Sequence, residues 1–386
     1  MEPAGGRDML VIAAPEHDAA AYHLTGFLAP DPVIFFRVGG RGHLAVSAME
    51  YPRARREARV EEVLSFDELG VEELARELRD GHRAYAAAAA RALLERGAKS
   101  VAVPPGLGVA YADELRARGV ELSPDGPLFS RMRRRKTERE ISCIERTQRA
   151  VEEACRRALG ILREAGVGEG GALSWRGEPL TSERLRSEID VELLRRGCAA
   201  EGTIVAGGPQ AADPHERGSG PLRAGETIIV DVFPRDQRTR YYADMTRTFV
   251  KGEPDGKLVR MHEAVLEAQR AALGMIRAGV NGRDVHRKVS EVLHEAGYKT
   301  ALHDRREGRP LTEGFMHGTG HGVGLEIHEA PRISTADEEL LAGDVVTVEP
   351  GVYDPEVGGV RIEDLVVVTE EGCRNLTRFP KELVVP

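Results

Sequence analysis

Four acids and three histidines hold most of the chemistry this chain could do: Asp231, Asp244, Glu349 and Glu363, with His317, His321 and His328 in HGTGHGVGLEIHEAPR at residues 317–332. Singly, each has an ordinary explanation. Asp231, near the end of GETIIVDVFP (225–234), could cap the turn that Pro234 begins. Asp244 could be a surface residue on an edge strand, and Glu363 could pair with Arg361 on its own strand face. Any one of the histidines could be a hydrogen-bonded core residue. As a set they are harder to explain, because neighbouring carboxylates repel unless a cation lies between them. A buried carboxylate also needs a cation or a hydrogen-bond partner to offset its desolvation, and Glu349 ends the apolar run VVTV. Asp231, Asp244, His321, Glu349 and Glu363 supply four oxygen-donor residues and one imidazole, enough for two divalent ions with bridging carboxylates. Such hard donors suit Mn²⁺ especially, with Co²⁺, Fe²⁺ or Zn²⁺ as alternatives.

The histidine segment excludes two other readings. His317 and His321 are four apart, as in a zinc-protease helix, but glycines at 318, 320, 322 and 324 disfavour a helix, and no HExxH is present. Nor is there a dinucleotide fingerprint, since the position three after Gly320 is Val323. The glycines instead let the backbone approach a crowded site. His262, His286 and His294 sit in helical patterns without clustered partners and read as ordinary structural residues.

Period-2 and helical patterns suggest what positions these groups. Residues 225–234 read as a turn and a buried strand, and 241–250 as its hairpin partner, placing Asp231 and Asp244 on facing strands. Strand patterns at 344–349 and 360–369 carry the two glutamates. Helical patterns occupy 182–196, 258–278 and 283–296, and Thr137 with Glu140 forms a capping box before apolar residues at helical spacing from Ile141 to Leu162. Residues 1–130 alternate short apolar runs (9–14, 33–36) with helical patterns (71–78, 84–94), an α/β arrangement. A turn cluster at 124–127 and the basic run 131–136, read as a solvated linker, separate this part from a second domain at 137–386. The whole is a mixed α+β chain. Its 386 residues fit two domains with a core each. A formal charge of −9 argues against a general nucleic-acid or anionic-membrane surface. Four widely spaced cysteines fit reduced thiols, and no apolar run near the start is long enough for a signal or a membrane span, so a cytoplasmic location is expected.

The motifs IIVDVF, YYADMTRTF, HGTGHGVGLEIHE, VEPGVY and VRIEDLVVVT, in that order, resemble the metal-ligand motifs of the pita-bread metallopeptidases, in their proline-dipeptidase (prolidase) and Xaa-Pro aminopeptidase branch. The likeness covers roughly residues 137–386, and AAYHLTGF resembles part of that branch's N-terminal domain. It implies a pita-bread catalytic domain, an N-terminal domain used in dimerisation, and Asp231, Asp244, His321, Glu349 and Glu363 as ligands of two metal ions. It further implies His215 (in DPHERGSG) and His328 as catalytic histidines at the substrate, His317 as a supporting histidine, and Arg332 as a partner for a substrate carboxylate. Tyr353 and Arg361 are implied to line the substrate site from behind, holding the ligands.

The implied reaction is hydrolysis of an Xaa-Pro peptide bond by a hydroxide bridging the two ions, with Glu349 carrying the proton to the leaving nitrogen. Alternatives are a non-catalytic binding protein on this fold, a metal-independent creatinase, or a methionine aminopeptidase. Two features depart from the family pattern: a longer segment between Asp231 and Asp244, and Glu-Arg-Gly-Ser-Gly after His215.

Overall fold

The computed structural model describes residues 6–386. Two compact units divide the chain after Arg133. The first contains a six-stranded sheet in the order Glu62–Ser65, Arg41–Val46, Val33–Val38, Met9–Ala13, Ser100–Val103, Glu121–Pro124. The alanine-rich helix Gly81–Glu95 packs its buried alanines with Leu10, Ile12, Ile34 and Phe36 of that sheet.

In the second unit, Thr137 caps the 27-residue helix Glu138–Glu164, and the capping box is complete: Thr137 N donates to Glu140 Oε2 at 2.8 Å and Glu140 N to Thr137 Oγ1 at 3.3 Å. Two sheets follow. One joins Ile204–Gly207, Thr227–Val232, Met245–Lys251 and Val384–Val385; the other joins Glu329–Ile333, Gly320–Gly322, Val345–Val348, Asp364–Val368 and Cys373–Asn375. The helices Gly256–Met275 and Gly282–Glu295 bury Leu258, Met261, Val265, Val285 and Val289 against Val346, Val348 and Val366. Each such side chain, fully buried, contributes about 1.5–3 kcal/mol, so an Asp at position 265 would open this layer.

Two sequence expectations fail here for physical reasons. The single strand expected over 360–369 is broken. Gly358–Arg361 pairs with Gly351–Asp354, whereas Asp364–Val368 joins the larger sheet. Between them Ile362 N donates to Pro350 O at 3.3 Å and Glu363 N to Thr246 O at 3.1 Å, so the chain changes sheets at Glu363. The basic run is not a solvated linker either. A helix extends over Gly126–Arg134, Arg134 pairs with the fully buried Asp344 at 2.8 Å, and Lys136 is itself buried against Glu329. Acids 210 and 193 residues away neutralise these bases, a pairing that no local pattern reveals.

Among the described residues no helix is long and apolar enough to cross a membrane.

Candidate metal centre

Asp231 lies in the Thr227–Val232 strand, opposite Thr246 in antiparallel register, and Asp244 immediately precedes the partner strand Met245–Lys251. His321 is the central residue of Gly320–Gly322, packed so closely that a Cβ on Gly320 would lie 2.0 Å from Thr347 O. Glu349 follows Val345–Val348, and Glu363 sits at the sheet crossing described above. Hairpin, glycine segment and two strand ends thereby deliver all five side chains to one cavity of about 760 Å³. His215, His317, His328, Arg332 and Arg361 line the same cavity, with Ile204, Phe233, Met316 and Ile327 as its apolar part.

Among the described residues, Asp244, His321 and Glu363 form the one group of three acids or histidines whose candidate ligand atoms all lie within 4.8 Å of one another. His321 Nε2 is 3.7 Å from Asp244 Oδ2 and 3.4 Å from Glu349 Oε1. Its Nδ1 faces Gly322 O at 3.2 Å. Burial, then the neighbouring His328, lowers its pKa to about 3, so the imidazole is neutral. With its proton on Nδ1 for Gly322 O, Nε2 turns a lone pair toward carboxylate oxygens, the arrangement a metal-ligating histidine requires.

The acids are in excess. Burial first, then the surrounding carboxylates, push Asp244 and Glu363 well above the usual carboxylate range. Burial also raises Glu349 to about 7, against the nearby Arg361 guanidinium. Asp231 Oδ2 accepts from Arg361 at 2.7 Å, yet its buried Oδ1 has no hydrogen-bond partner. An orphaned carboxylate oxygen, an inward-facing imidazole lone pair and four acids around one guanidinium fit divalent cations.

Arg361 organises the floor of this site. It donates to Asp231, to Thr246 Oγ1 at 3.2 Å and to Tyr353 Oη at 2.9 Å. Thr246 Oγ1 donates onward to Glu363 Oε2 at 2.7 Å. The ordinary alternative for Glu363, an ion pair with Arg361, is not formed: Arg361 pairs with Asp231, because the chain turns between residues 361 and 363. His317 Nδ1 faces Gly318 O at 2.7 Å and its Nε2 faces Tyr353 Oη at 2.8 Å. Burial lowers the His317 pKa to about 3. The neutral ring therefore donates to Gly318 and accepts from the tyrosine, leaving neither nitrogen free for a substrate. Tyr353 and Arg361 are almost fully buried, whereas His215, His328 and Arg332 are exposed at the cavity.

Sequence reasoning missed three supports. Thr246 and Thr347 steady Glu363 and Glu349, the latter at 3.3 Å, and Thr347 also accepts from His321 N at 3.1 Å. His286 Nδ1 meets Thr319 Oγ1 at 2.9 Å behind the glycine segment. Alternation signalled Thr246, which shares the face of Asp244; nothing local signalled His286. The long segment between Asp231 and Asp244 is anchored: Arg235–Asp236 pairs with Cys198–Ala199, and Tyr242 Oη donates to Glu201 at 2.5 Å.

Residues 142–370 match the model of metallopeptidase family M24, well over half of the chain. The chain belongs to metallopeptidase family M24. This M24 chain is 32% identical over 298 residues to the Xaa-Pro dipeptidase of Pyrococcus horikoshii, covering 75% of this chain and 76% of that protein. In three dimensions it resembles the prolidase from Pyrococcus horikoshii OT3 (TM-score 0.77, 27% identity, 98% and 95% of the two chains). It also resembles an X-Pro aminopeptidase from Thermotoga maritima MSB8 (TM-score 0.80, 25% identity, 99% and 98%). The M24 chain accordingly has the prolidase and aminopeptidase P architecture, an N-terminal domain followed by a pita-bread catalytic domain.

Proposed function

We propose that this M24 enzyme hydrolyses peptide bonds between an N-terminal residue and proline, using two divalent cations held by Asp231, Asp244, His321, Glu349 and Glu363. One observation carries this reading: a cavity floor on which four acids surround a single buried guanidinium and an imidazole lone pair points among them. Manganese is the proposed metal, since four of the five donors are hard carboxylates. Bound there, such cations supply Lewis acidity and lower the pKa of a coordinated water toward 7.

The chain's own residues do the rest. Glu349 keeps 18% of its side chain exposed toward the cavity, so one of its oxygens is placed to take the proton of the attacking water and pass it to the leaving imino nitrogen. Burial and the adjacent Arg332 charge lower the His328 pKa, and the neutral ring is placed to donate to the carbonyl oxygen as it gains charge. His215 approaches the same space from the loop before the first acid. Arg332, exposed on the cavity wall, matches a carboxylate terminus. Arg361 and Tyr353 keep Asp231 and His317 in place, and His317 acts as a support. The domain limits 1–130 and 137–386, a homodimer and a cytoplasmic location complete the proposal.

The test is hydrolysis of an Xaa-Pro dipeptide, an Xaa-Pro-containing tripeptide and a Met-Ala tripeptide, each with EDTA and with added Mn²⁺. Mn²⁺-dependent cleavage of a proline-containing peptide is expected, and the dipeptide against the tripeptide separates dipeptidase from aminopeptidase action. Cleavage of the Met-Ala peptide alone, or no metal-dependent cleavage, overturns the reading.

A further inference from the structure

A buried ion pair beside His328 lies outside the acid cluster, and the reaction proposed above does not use it. Lys136 Nζ is 2.5 Å from Glu329 Oε1, with the two side chains 1% and 4% exposed. Glu329 follows His328 directly and begins the strand paired with that of His321, where the register shifts between His321 and Gly322. The Glu329 carboxylate also packs against Gly324, at which a Cβ would lie 2.4 Å from the same Oε1. Lys136 is fixed in turn, its N donating to Gly343 O at 2.9 Å just before Thr137 caps the long helix.

His317 and His321 are each oriented by hydrogen bonds to their rings. His328 is different. Among the described residues no hydrogen bond orients its ring, which stands edge-on to His321 with centroids 4.4 Å apart. The place of that ring is therefore set by its backbone, and the nearest anchor on that backbone is the Glu329 side chain. Ion pairs buried this deeply add little net stability, because replacing both partners by apolar groups is often neutral or stabilising. What the pair supplies here is a fixed position.

We infer that Lys136 and Glu329 are positioning residues that hold His328 at the reacting carbonyl. This rests on the role given to His328 above. The experiment measures kcat, KM, bound metal and Tm of the Mn²⁺-loaded full-length enzyme on an Xaa-Pro dipeptide. The variants are Lys136→Met, His328→Ala, Lys136→Met with His328→Ala, and Lys136→Met with Glu329→Met, the last avoiding an uncompensated buried charge. Loss of the pair is expected to lower kcat on the order of tenfold, with KM and metal content near wild type. On the His328→Ala background the same Lys136→Met change costs less than about twofold, because the two act as one unit. Equal losses with and without His328, or wild-type kcat in the folded double-Met variant, overturn the inference alone. Wild-type kcat in His328→Ala overturns the role of His328 and the inference with it.

Discussion

Glu363 and Asp364 are adjacent in the chain and both almost fully buried, yet they face opposite electrostatic worlds. Asp364 accepts from Arg247 at 2.9 Å, Lys381 at 2.5 Å and Asn375 at 2.8 Å, and Arg247 also donates to the carbonyls of Phe379 and Pro380. On that face the fold buries bases along with its acid. Glu363 has the Thr246 hydroxyl on its side, and beyond it Asp231, Asp244 and Glu349 share one buried guanidinium, that of Arg361, while Arg332 stays exposed on the cavity wall. The first face is a closed structural network. The second is short of positive charge, and the missing charge must come from solution, which is why it reads as a metal centre.

Substitutions that remove acids on the two faces should separate them, with the largest effect on catalysis. Glu349→Ala is expected to lower kcat by about 10²–10⁴-fold or more, since it removes the proposed ligand and proton carrier together. Glu363→Gln should also abolish most turnover and weaken metal binding, while leaving the metal-free protein at least as stable as wild type. Asp364→Asn should do the reverse, costing about 3–5 kcal/mol of stability by stranding Arg247, with near-normal kcat in the folded fraction. Chemical denaturation alongside metal binding checks this. Equal destabilisation by both changes would erase the distinction between the faces.

The smaller effect concerns pH. Asp244 and Glu363 are held well above the usual carboxylate range, and Glu349 is raised from 4.5 to about 7. The folded, metal-free protein thus keeps protons that the unfolded chain has lost, so this stabilisation is complete below about pH 4 and is lost as pH rises through the raised pKa values, about 7 for Glu349. In the proposed metal centre, cations replace those protons. The rise in Tm caused by Mn²⁺ over EDTA should therefore grow between about pH 5.5 and 8. A metal-induced shift independent of pH would mean that the acids are not the ligands.

Much of this was legible in the chain, and for definite reasons. The capping box at Thr137 and Glu140 is a local signal, and the alternation of residues 225–234 carries the strand that holds Asp231. The family resemblance came from motifs long enough to be specific, and the match over residues 142–370 agrees with it. What stayed hidden depends on distant partners. Arg361 reaches across to Asp231 and not to Glu363, because the chain changes sheets at residue 363. Lys136 looked like part of a solvated basic run until Glu329, far along the chain, neutralised it. The engagement of both His317 nitrogens depends on Tyr353, which no spacing rule connects to it.

On the proposed reading, the acid-rich face takes up cations and these switch on proline-directed hydrolysis. Titrating EDTA-stripped enzyme with Mn²⁺, while following bound metal and turnover of an Xaa-Pro dipeptide in the same samples, tests it directly. Two equivalents bound, with activity rising from near zero as they bind and the same behaviour in the folded fraction of Asp364→Asn, is the predicted result. Full activity in the stripped enzyme, or saturating Mn²⁺ that restores none, would contradict it.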